Sequence, residues 1–185
     1  MLLIQPKDFA LSNERLVLRE VTNSDWKGVH KYASKSIVCQ DQPWGPNSEE
    51  ESKAFVKQII GDTTKETRTR FAFAIDYNEE MIGLGELNIR DVTNKVGELS
   101  YIVNPDYWAQ GIATDVAKIL IRFGFTDLKL HRIYATCDPR NIGSTKVLLK
   151  VGMMKEGTIR ESLLLRDGWR DSSLFSILED EWPET

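Results

Sequence analysis

A strand, a glycine-containing turn and a long helix follow one another between Val96 and Leu128, and this segment constrains the fold most. Alternation of apolar and polar residues predicts a strand over Val96–Val103, and Pro105 ends it because proline cannot extend the hydrogen-bonded ladder. Apolar residues at helical spacing then predict a helix from about Gly111 to Leu128. The first amides of such a helix lack internal partners, and the helix dipole adds positive charge there. The turn is therefore predicted to bind an anionic group.

The rest of the chain predicts a sheet covered by helices. Strands are expected at Arg15–Val21, Phe71–Ile75, Met81–Arg90, Val96–Val103, His131–Cys137, Thr158–Arg166 and Asp171–Leu178. Helices are expected over Ser24–Tyr32, Ser48–Ile60, Gly111–Leu128 and Asn141–Val151, with Gly61 ending the second of them and Asn141 capping the last. This order of about seven strands predicts an α+β or mixed α/β fold. No linker or repeat interrupts it, which predicts a single domain over residues 10–182.

Composition and charge exclude several functional classes. The net charge of −4 provides no basic face for a nucleic acid. The chain has no long uncharged apolar run, and the apolar stretch Leu2–Ile4 is too short for a signal peptide, which predicts a cytoplasmic protein without a membrane partner. Cys39 and Cys137 form no CxxC pattern, and His30 and His131 have no clustered ligands. Reduced thiols and no metal site are therefore expected.

A second glycine pattern, Gly83-Leu84-Gly85, resembles the start of a dinucleotide-binding loop. The third glycine of that fingerprint is replaced by Asn88, and no helix follows. We therefore interpret Gly83 and Gly85 as strand glycines, at a bulge or at a close approach of two backbones.

Three motifs follow in order along the chain, Tyr107–Thr114, Asn141–Met153 and Glu156–Asp171. In the first, Gly111 and Ala113 match a coenzyme-binding pattern of Gln or Arg, two residues, Gly, one residue, and Gly or Ala. Trp108 takes the first position of that pattern. Together the motifs resemble the GNAT acetyltransferase superfamily, and most of all its ribosomal-protein N-terminal acetyltransferases. The resemblance extends from Arg15 to Leu178.

This resemblance implies a mixed, mostly antiparallel twisted sheet in which the strand before the coenzyme turn splays from its neighbour and holds acetyl-CoA as co-substrate. It implies that the backbone of Ile102 and Val103, together with Asn141, binds the pantetheine arm. It places the pyrophosphate on the turn formed by Trp108, Ala109, Gln110, Gly111, Ile112, Ala113 and Thr114. The implied reaction is direct attack by an amine in a ternary complex, without an acyl-cysteine. A homodimer is compatible with this branch.

Acetyl transfer to an amine requires removal of a proton from the amine, a donor for the oxyanion, and stabilisation of the departing thiolate. Glu98 lies in the strand that leads to the coenzyme turn and is the candidate general base, acting directly or through water. Glu86 in the preceding strand is the alternative, and bulk water is another. The resemblance assigns Ser144 a place near the sulfur, with a positioning or relay role. Val147 and Leu148 occupy the region where related proteins carry a tyrosine acid.

The acceptor side is defined least by the sequence. Trp44 lies in the irregular segment Gln40–Asn47 and is expected to form one wall of the acceptor pocket. Glu86 and Glu161 are expected to attract a cationic amine there, and Asp171 is a further candidate. The acceptor remains open between a protein N-terminus and a small-molecule amine. Two other functions also remain: a catalytically silent acyl-CoA-binding module, and an adaptor domain without a coenzyme.

Overall fold

The computed structural model describes residues 10–183, which form one sheet with helices on both faces. The strands are β1 (Ala10–Ser12), β2 (Val17–Glu20), β3 (Arg70–Tyr77), β4 (Glu80–Asp91), β5 (Val96–Val103), β6 (Arg132–Cys137), β7 (Met154–Leu165) and β8 (Gly168–Leu178). The helices are α1 (Trp26–Ala33), α2 (Ser36–Cys39), α3 (Glu49–Thr63), α4 (Ile112–Thr126) and α5 (Ile142–Lys150). The apolar stretch Leu2–Ile4 lies outside the described residues.

The predicted order of elements is confirmed, with three differences. The structure adds β1, which pairs with β2 but is too short to produce a recognisable sequence pattern. It adds the short helix α2 between the first two predicted helices. Helix α3 also continues through Gly61 to Thr63, because a glycine inside a helix costs only about 1 kcal/mol relative to alanine. None of the helices among residues 10–183 is long and apolar enough to cross a membrane.

The strands lie in the order β1-β2-β3-β4-β5-β6-β8-β7, and β5–β6 is the parallel pair in this sheet. Pairing between β5 and β6 covers Val96 to Glu98 on β5 and ends at the partners Glu98 and Tyr134. Beyond that point β5 continues to Val103, paired only with β4. The predicted splay of two central strands is thus confirmed, and it leaves one edge of β5 open.

Helix α4 packs across one face of the sheet at close range. A Cβ atom on Gly85 of β4 would lie 2.9 Å from Cγ1 of Val116, and one on Gly124 of α4 would lie 2.6 Å from Cδ1 of Ile133. Phe123 of α4 packs edge-on against Phe73 with ring centroids 5.6 Å apart. The opposite face is covered by α1 and α3, which pack on a second apolar cluster. The central strands β3 and β4 are therefore covered by helices on both sides.

Gly83 shows the close backbone approach expected from the sequence. It lies opposite Val103, and a Cβ atom at this position would overlap the carbonyl oxygen of Ile102. Because Gly83 has no side chain, β4 can pair closely with Ile102 and Val103 in the open half of β5.

An ion pair connects β6 to the terminal hairpin. Arg132 donates to both carboxylate oxygens of Glu156, at 2.6 and 2.7 Å. This pairing, with a hydrogen bond from Ser176, lowers the pKa of Glu156 to about 2. The folded-state pKa is below the unfolded value of about 4.3, so this stabilisation is complete above pH about 5 and is lost as the pH falls toward 2.

We expect Glu156→Gln to lower the free energy of unfolding by up to about 1 kcal/mol at pH 7, because a partly exposed ion pair is screened by solvent. The difference from wild type should shrink as the pH falls toward 2. Urea unfolding at several pH values measures this, with Glu66→Gln in an exposed turn as the control for net charge. If the difference in unfolding free energy between Glu156→Gln and wild type does not depend on pH, the ion pair with Arg132 is not the source of that stability.

Candidate functional site

A cavity of about 590 Å³ opens where β5 and β6 diverge. Its walls come from the end of β4, the open half of β5, the start of α5 and the segment between α2 and α3. Six residues predicted from the sequence line it: Trp44, Glu86, Glu98, Ile102, Asn141 and Ser144. The predicted catalytic and acceptor-side residues are therefore brought together in one place, with the exception of Glu161 and Asp171.

The predicted coenzyme turn begins α4 beside the open half of β5. Gly111 is the residue before the helix and has a φ of 80°, in the left-handed region that favours glycine. Thr114 and Asp115 donate their amides to the carbonyl of Gly111 at 3.0 and 3.1 Å. The amides of Ile112 and Ala113 belong to the first turn, which has no internal acceptors for them. The turn therefore offers backbone donors to an anion.

Two side chains hold this turn in place. The indole Nε1 of Trp108 donates to the carbonyl of Val103 at 2.7 Å and ties the turn to the end of β5. Arg15 donates to the carbonyl of Gln110 at 3.2 Å and forms an ion pair with Asp115 at 3.0 Å. Arg15 was missed as a site residue, because no local pattern connects it with a turn so distant in sequence.

The residues of the turn contribute in different ways. The side chains of Ile112 and Thr114 are buried, so only their backbone is available to a ligand. Ala109 has a φ of 60° and is exposed next to Gln110, also exposed. Next to Gly111 the nearest atom to an added Cβ is Nη1 of Arg15, at 3.8 Å. Open space, backbone donors and an arginine fit a pyrophosphate group.

Both candidate carboxylates are held by arginines. Arg90 donates its Nε to Glu98 at 2.7 Å, and Arg70 donates to both oxygens of Glu86 at 2.9 Å. The side chain of Arg90 is 54% exposed, whereas that of Arg70 is 20% exposed and also pairs with Asp62. An exposed arginine releases its partner at little cost, so the geometry favours Glu98 as the available carboxylate.

The start of α5 presents Ser144 to the cavity. Asn141 accepts the amide of Ser144 on its Oδ1 at 2.9 Å and caps the helix, as the sequence predicts. Because this bond uses the oxygen, the Nδ2 donors of Asn141 remain for a ligand. Tyr101 of β5 lines the same region and was not assigned a role from the sequence.

A second group missed by the sequence lies at the far wall. Arg170 of β8 donates to the carbonyl of Asp41 and lies 3.7 Å from Asp138, and all three line the cavity. The hydrogen bond from Arg140 lowers the pKa of the buried Asp138 carboxyl. The Nε of Arg170 is buried and has no partner among residues 10–183. This unpaired donor is available to an acceptor substrate.

The expectation for Glu161 is wrong. Glu161 is exposed, has a φ of 48°, and does not line the cavity. Glu161 lies where the register of β7 on β8 shifts, between Ile159 and Leu163. Asp171 is used locally, since its Oδ1 accepts the amide of Glu161 at 2.8 Å.

Comparison with known proteins identifies the family of this chain. The model of the acetyltransferase (GNAT) domain family matches residues 15–154. The uncharacterized N-acetyltransferase YnaD of Bacillus subtilis (strain 168) is 33% identical over 93% of this chain and 98% of its own length. The spermidine N(1)-acetyltransferase of Escherichia coli (strain K12) is 25% identical over 89% of this chain and 87% of its own. The crystal structure of a ribosomal-protein-S5-alanine acetyltransferase from Vibrio fischeri superimposes with a TM-score of 0.79 and 25% identity, covering 95% of this chain and 100% of that one.

Proposed function

We propose that this chain, which belongs to the GNAT acetyltransferase family and is an acetyl-CoA-dependent N-acetyltransferase, carries out the transfer in the cavity between β5 and α5. One observation supports this most strongly: β5 and β6 separate beyond Glu98 and Tyr134, which opens an unpaired edge of β5 beside the Gly111 turn. We further propose that residues 10–182 form a single catalytic domain and that the protein acts in the cytoplasm.

In this proposal the turn and the strand edge bind the two ends of the coenzyme. The amides of Ile112 and Ala113 bind the pyrophosphate, and Arg15 adds positive charge beside them. The backbone of Ile102 and Val103 then pairs with the amides of the pantetheine arm, in the way that β6 would pair if it had not diverged. Asn141 contributes its free Nδ2 donors from the opposite wall.

The proposed chemistry is direct attack by the amine on the thioester. Glu98 lies at the point where the strands separate, roughly 13 Å along β5 from Ile102 at about 3.3 Å per residue. It accepts the amine proton directly or through water once Arg90 turns away. Ser144 lies on the other side of the cleft and supports the departing sulfur. The amine nitrogen forms the new bond to the carbonyl carbon, and the carbon–sulfur bond breaks.

The charges in the cavity support a particular class of acceptor. Arg70, Arg90 and Arg170 all line it, and the carboxylates beside them are already paired. The protonated ammonium groups of a polyamine are hydrogen-bond donors only, so they have nothing to offer the unpaired Nε of Arg170. An amine next to a carbonyl, as at a peptide N-terminus, supplies an acceptor oxygen. We therefore favour such acceptors over spermidine, the substrate named for one relative.

An acetyl-CoA consumption assay across acceptor classes tests this proposal. We expect peptide α-amines or amino-acid amides to be acetylated with a kcat/KM at least tenfold above that for spermidine. Arg170→Met should reduce this preference, because it removes the unpaired donor. Turnover restricted to polyamines would contradict the acceptor assignment. Tight binding of acetyl-CoA without turnover of any amine would instead indicate a silent acyl-CoA-binding module.

A further inference from the structure

The phenol of Tyr101 is a buried polar group without a hydrogen-bond partner among residues 10–183. Tyr101 lies on β5 beyond Glu98, in the half that no longer pairs with β6, and it lines the cavity. Leaving a hydroxyl buried and unpaired costs about 1–3 kcal/mol. An unpaired donor at the edge of a substrate cavity indicates that its bonding is completed only when the site is filled.

Ser144 is the neighbouring hydroxyl. Burial raises the pKa of Tyr101 to about 12, and the Ser144 hydroxyl acts on it in the opposite direction. Tyr101 is therefore protonated at neutral pH and acts as a donor. Burial also raises the pKa of Cys137, so this thiol stays neutral. The backbone of Ser144 is fixed by its bond to Asn141, so its hydroxyl is the part that is free to rotate.

We propose that Tyr101 is a positioning residue for Ser144. Its phenolic O–H donates to Oγ of Ser144, which directs the single hydroxyl hydrogen of Ser144 toward the sulfur of the departing coenzyme. A serine hydroxyl has one hydrogen and two acceptor lone pairs, so occupying its oxygen leaves the hydrogen for the sulfur. Bonds linked in a chain also strengthen one another. The inference rests on the proposed function, because it requires the coenzyme sulfur beside Ser144.

The proton balance does not require Tyr101 to ionise. When the tetrahedral intermediate collapses, the carbon–sulfur bond breaks and the sulfur keeps the electron pair as a thiolate. The proton that finally neutralises the sulfur is the one released by the amine, and it arrives through solvent. Tyr101 and Ser144 keep their own protons and stabilise the thiolate by hydrogen bonding, at a place where charge develops.

The charged groups around the proposed sulfur position are engaged with one another, so the hydroxyls of Tyr101 and Ser144 are the groups that stabilise the thiolate. Glu98 on β5 is paired with Arg90, and Asp138 at the end of β6 is paired with Arg140. Arg170 on β8 is held by the carbonyl of Asp41. Asp138 has no proton to offer the sulfur at neutral pH, because the hydrogen bond from Arg140 lowers its pKa.

The pKa of the thiol in bound CoA measures this bond without relying on turnover. It is read from the ultraviolet absorbance of the thiolate in the CoA complex as the pH is raised. We expect the thiol pKa in the wild-type complex to lie below that of free CoA. Tyr101→Phe should raise it by about one unit, because Ser144 is then no longer directed to give its hydrogen bond to the charged sulfur. Tyr77→Phe, which removes a hydroxyl from β3, should leave it unchanged.

The double variant separates a chain from two independent donors. If Tyr101 acts through Ser144, Tyr101→Phe should add no further shift to Ser144→Ala. A bound-thiol pKa unaffected by Tyr101→Phe would overturn the proposal, and so would a full additional shift in the Ser144→Ala background. Failure of the wild-type protein to bind CoA would overturn the coenzyme site itself, and with it this inference. If the wild-type protein acetylates amines but Tyr101→Phe leaves the pKa of the bound thiol unchanged, only the role of Tyr101 is overturned, and the proposed function stands.

Discussion

Gly83→Ala is expected to weaken acetyl-CoA binding at least tenfold and to lower the free energy of unfolding by about 3 kcal/mol. The new methyl group would overlap the carbonyl oxygen of Ile102, which is backbone and cannot rotate away. Overpacking of a buried site usually costs about 1–3 kcal/mol, and the sheet here is covered on both faces. Any relief must move Ile102 and Val103, the residues proposed to bind the pantetheine arm. A displacement near 1 Å is enough to reduce catalysis by about a hundredfold.

Gly61→Ala is the matched control for this variant. Gly61 lies within α3, and an added Cβ meets nothing within 4 Å. Replacing a helical glycine with alanine should stabilise the protein by roughly 0.5–1 kcal/mol and leave coenzyme binding unchanged. Urea unfolding and calorimetric titration with acetyl-CoA measure both properties. Wild-type affinity in Gly83→Ala would show that the open half of β5 does not hold the coenzyme.

Glu98→Gln is expected to lower kcat about a hundredfold while the acetyl-CoA dissociation constant stays within about twofold of wild type. The amide keeps the size of the side chain but cannot take a proton from the amine. Because glutamine cannot accept a proton at any pH, the loss of kcat should persist across the pH range, and the remaining increase in rate with pH should report only ionisation of the amine. Steady-state kinetics from pH 5.5 to 9 measure this effect.

Two further variants determine which carboxylate acts. Arg90→Met removes the cation next to Glu98, and loss of a positive neighbour makes a carboxylate a stronger base. If Glu98 is the base, this variant should shift the rising part of the pH–rate profile to higher pH. A larger loss of kcat in Glu86→Gln than in Glu98→Gln would transfer the role to Glu86. An unchanged profile in all three variants would indicate bulk water as the base.

The coenzyme side of the molecule was predictable because its signals are local. The end of β5 at Pro105, the turn at Gly111 and the apolar periodicity of α4 occur in one continuous segment. The position of Asn141 before α5 is equally local, and its capping bond was predicted. The separation of β5 from β6 leaves no trace in either strand, and its prediction depended on the family resemblance.

The opposite wall was predictable only in part, because its residues meet through tertiary contacts. Tyr101 lies within the strand predicted over Val96–Val103, but nothing in the sequence connects it with Ser144 across the cleft. Arg170 approaches Asp41 and Asp138 only because the terminal hairpin folds back on the cavity. Glu161 was expected at the acceptor pocket from its charge alone, and the sequence does not reveal the register shift in β7 at this residue, which does not line the cavity.

A crystal structure of the protein with CoA bound shows directly whether the Gly111 turn and the open edge of β5 bind the coenzyme. We expect the pyrophosphate to lie within hydrogen-bond distance of the backbone amides between Gln110 and Thr114. We also expect the pantetheine arm to pair with the open edge of β5 at Ile102 and Val103, with the sulfur next to Ser144. A pyrophosphate bound away from the Gly111 turn, or an arm that leaves this edge of β5 unpaired, would contradict the proposed coenzyme site.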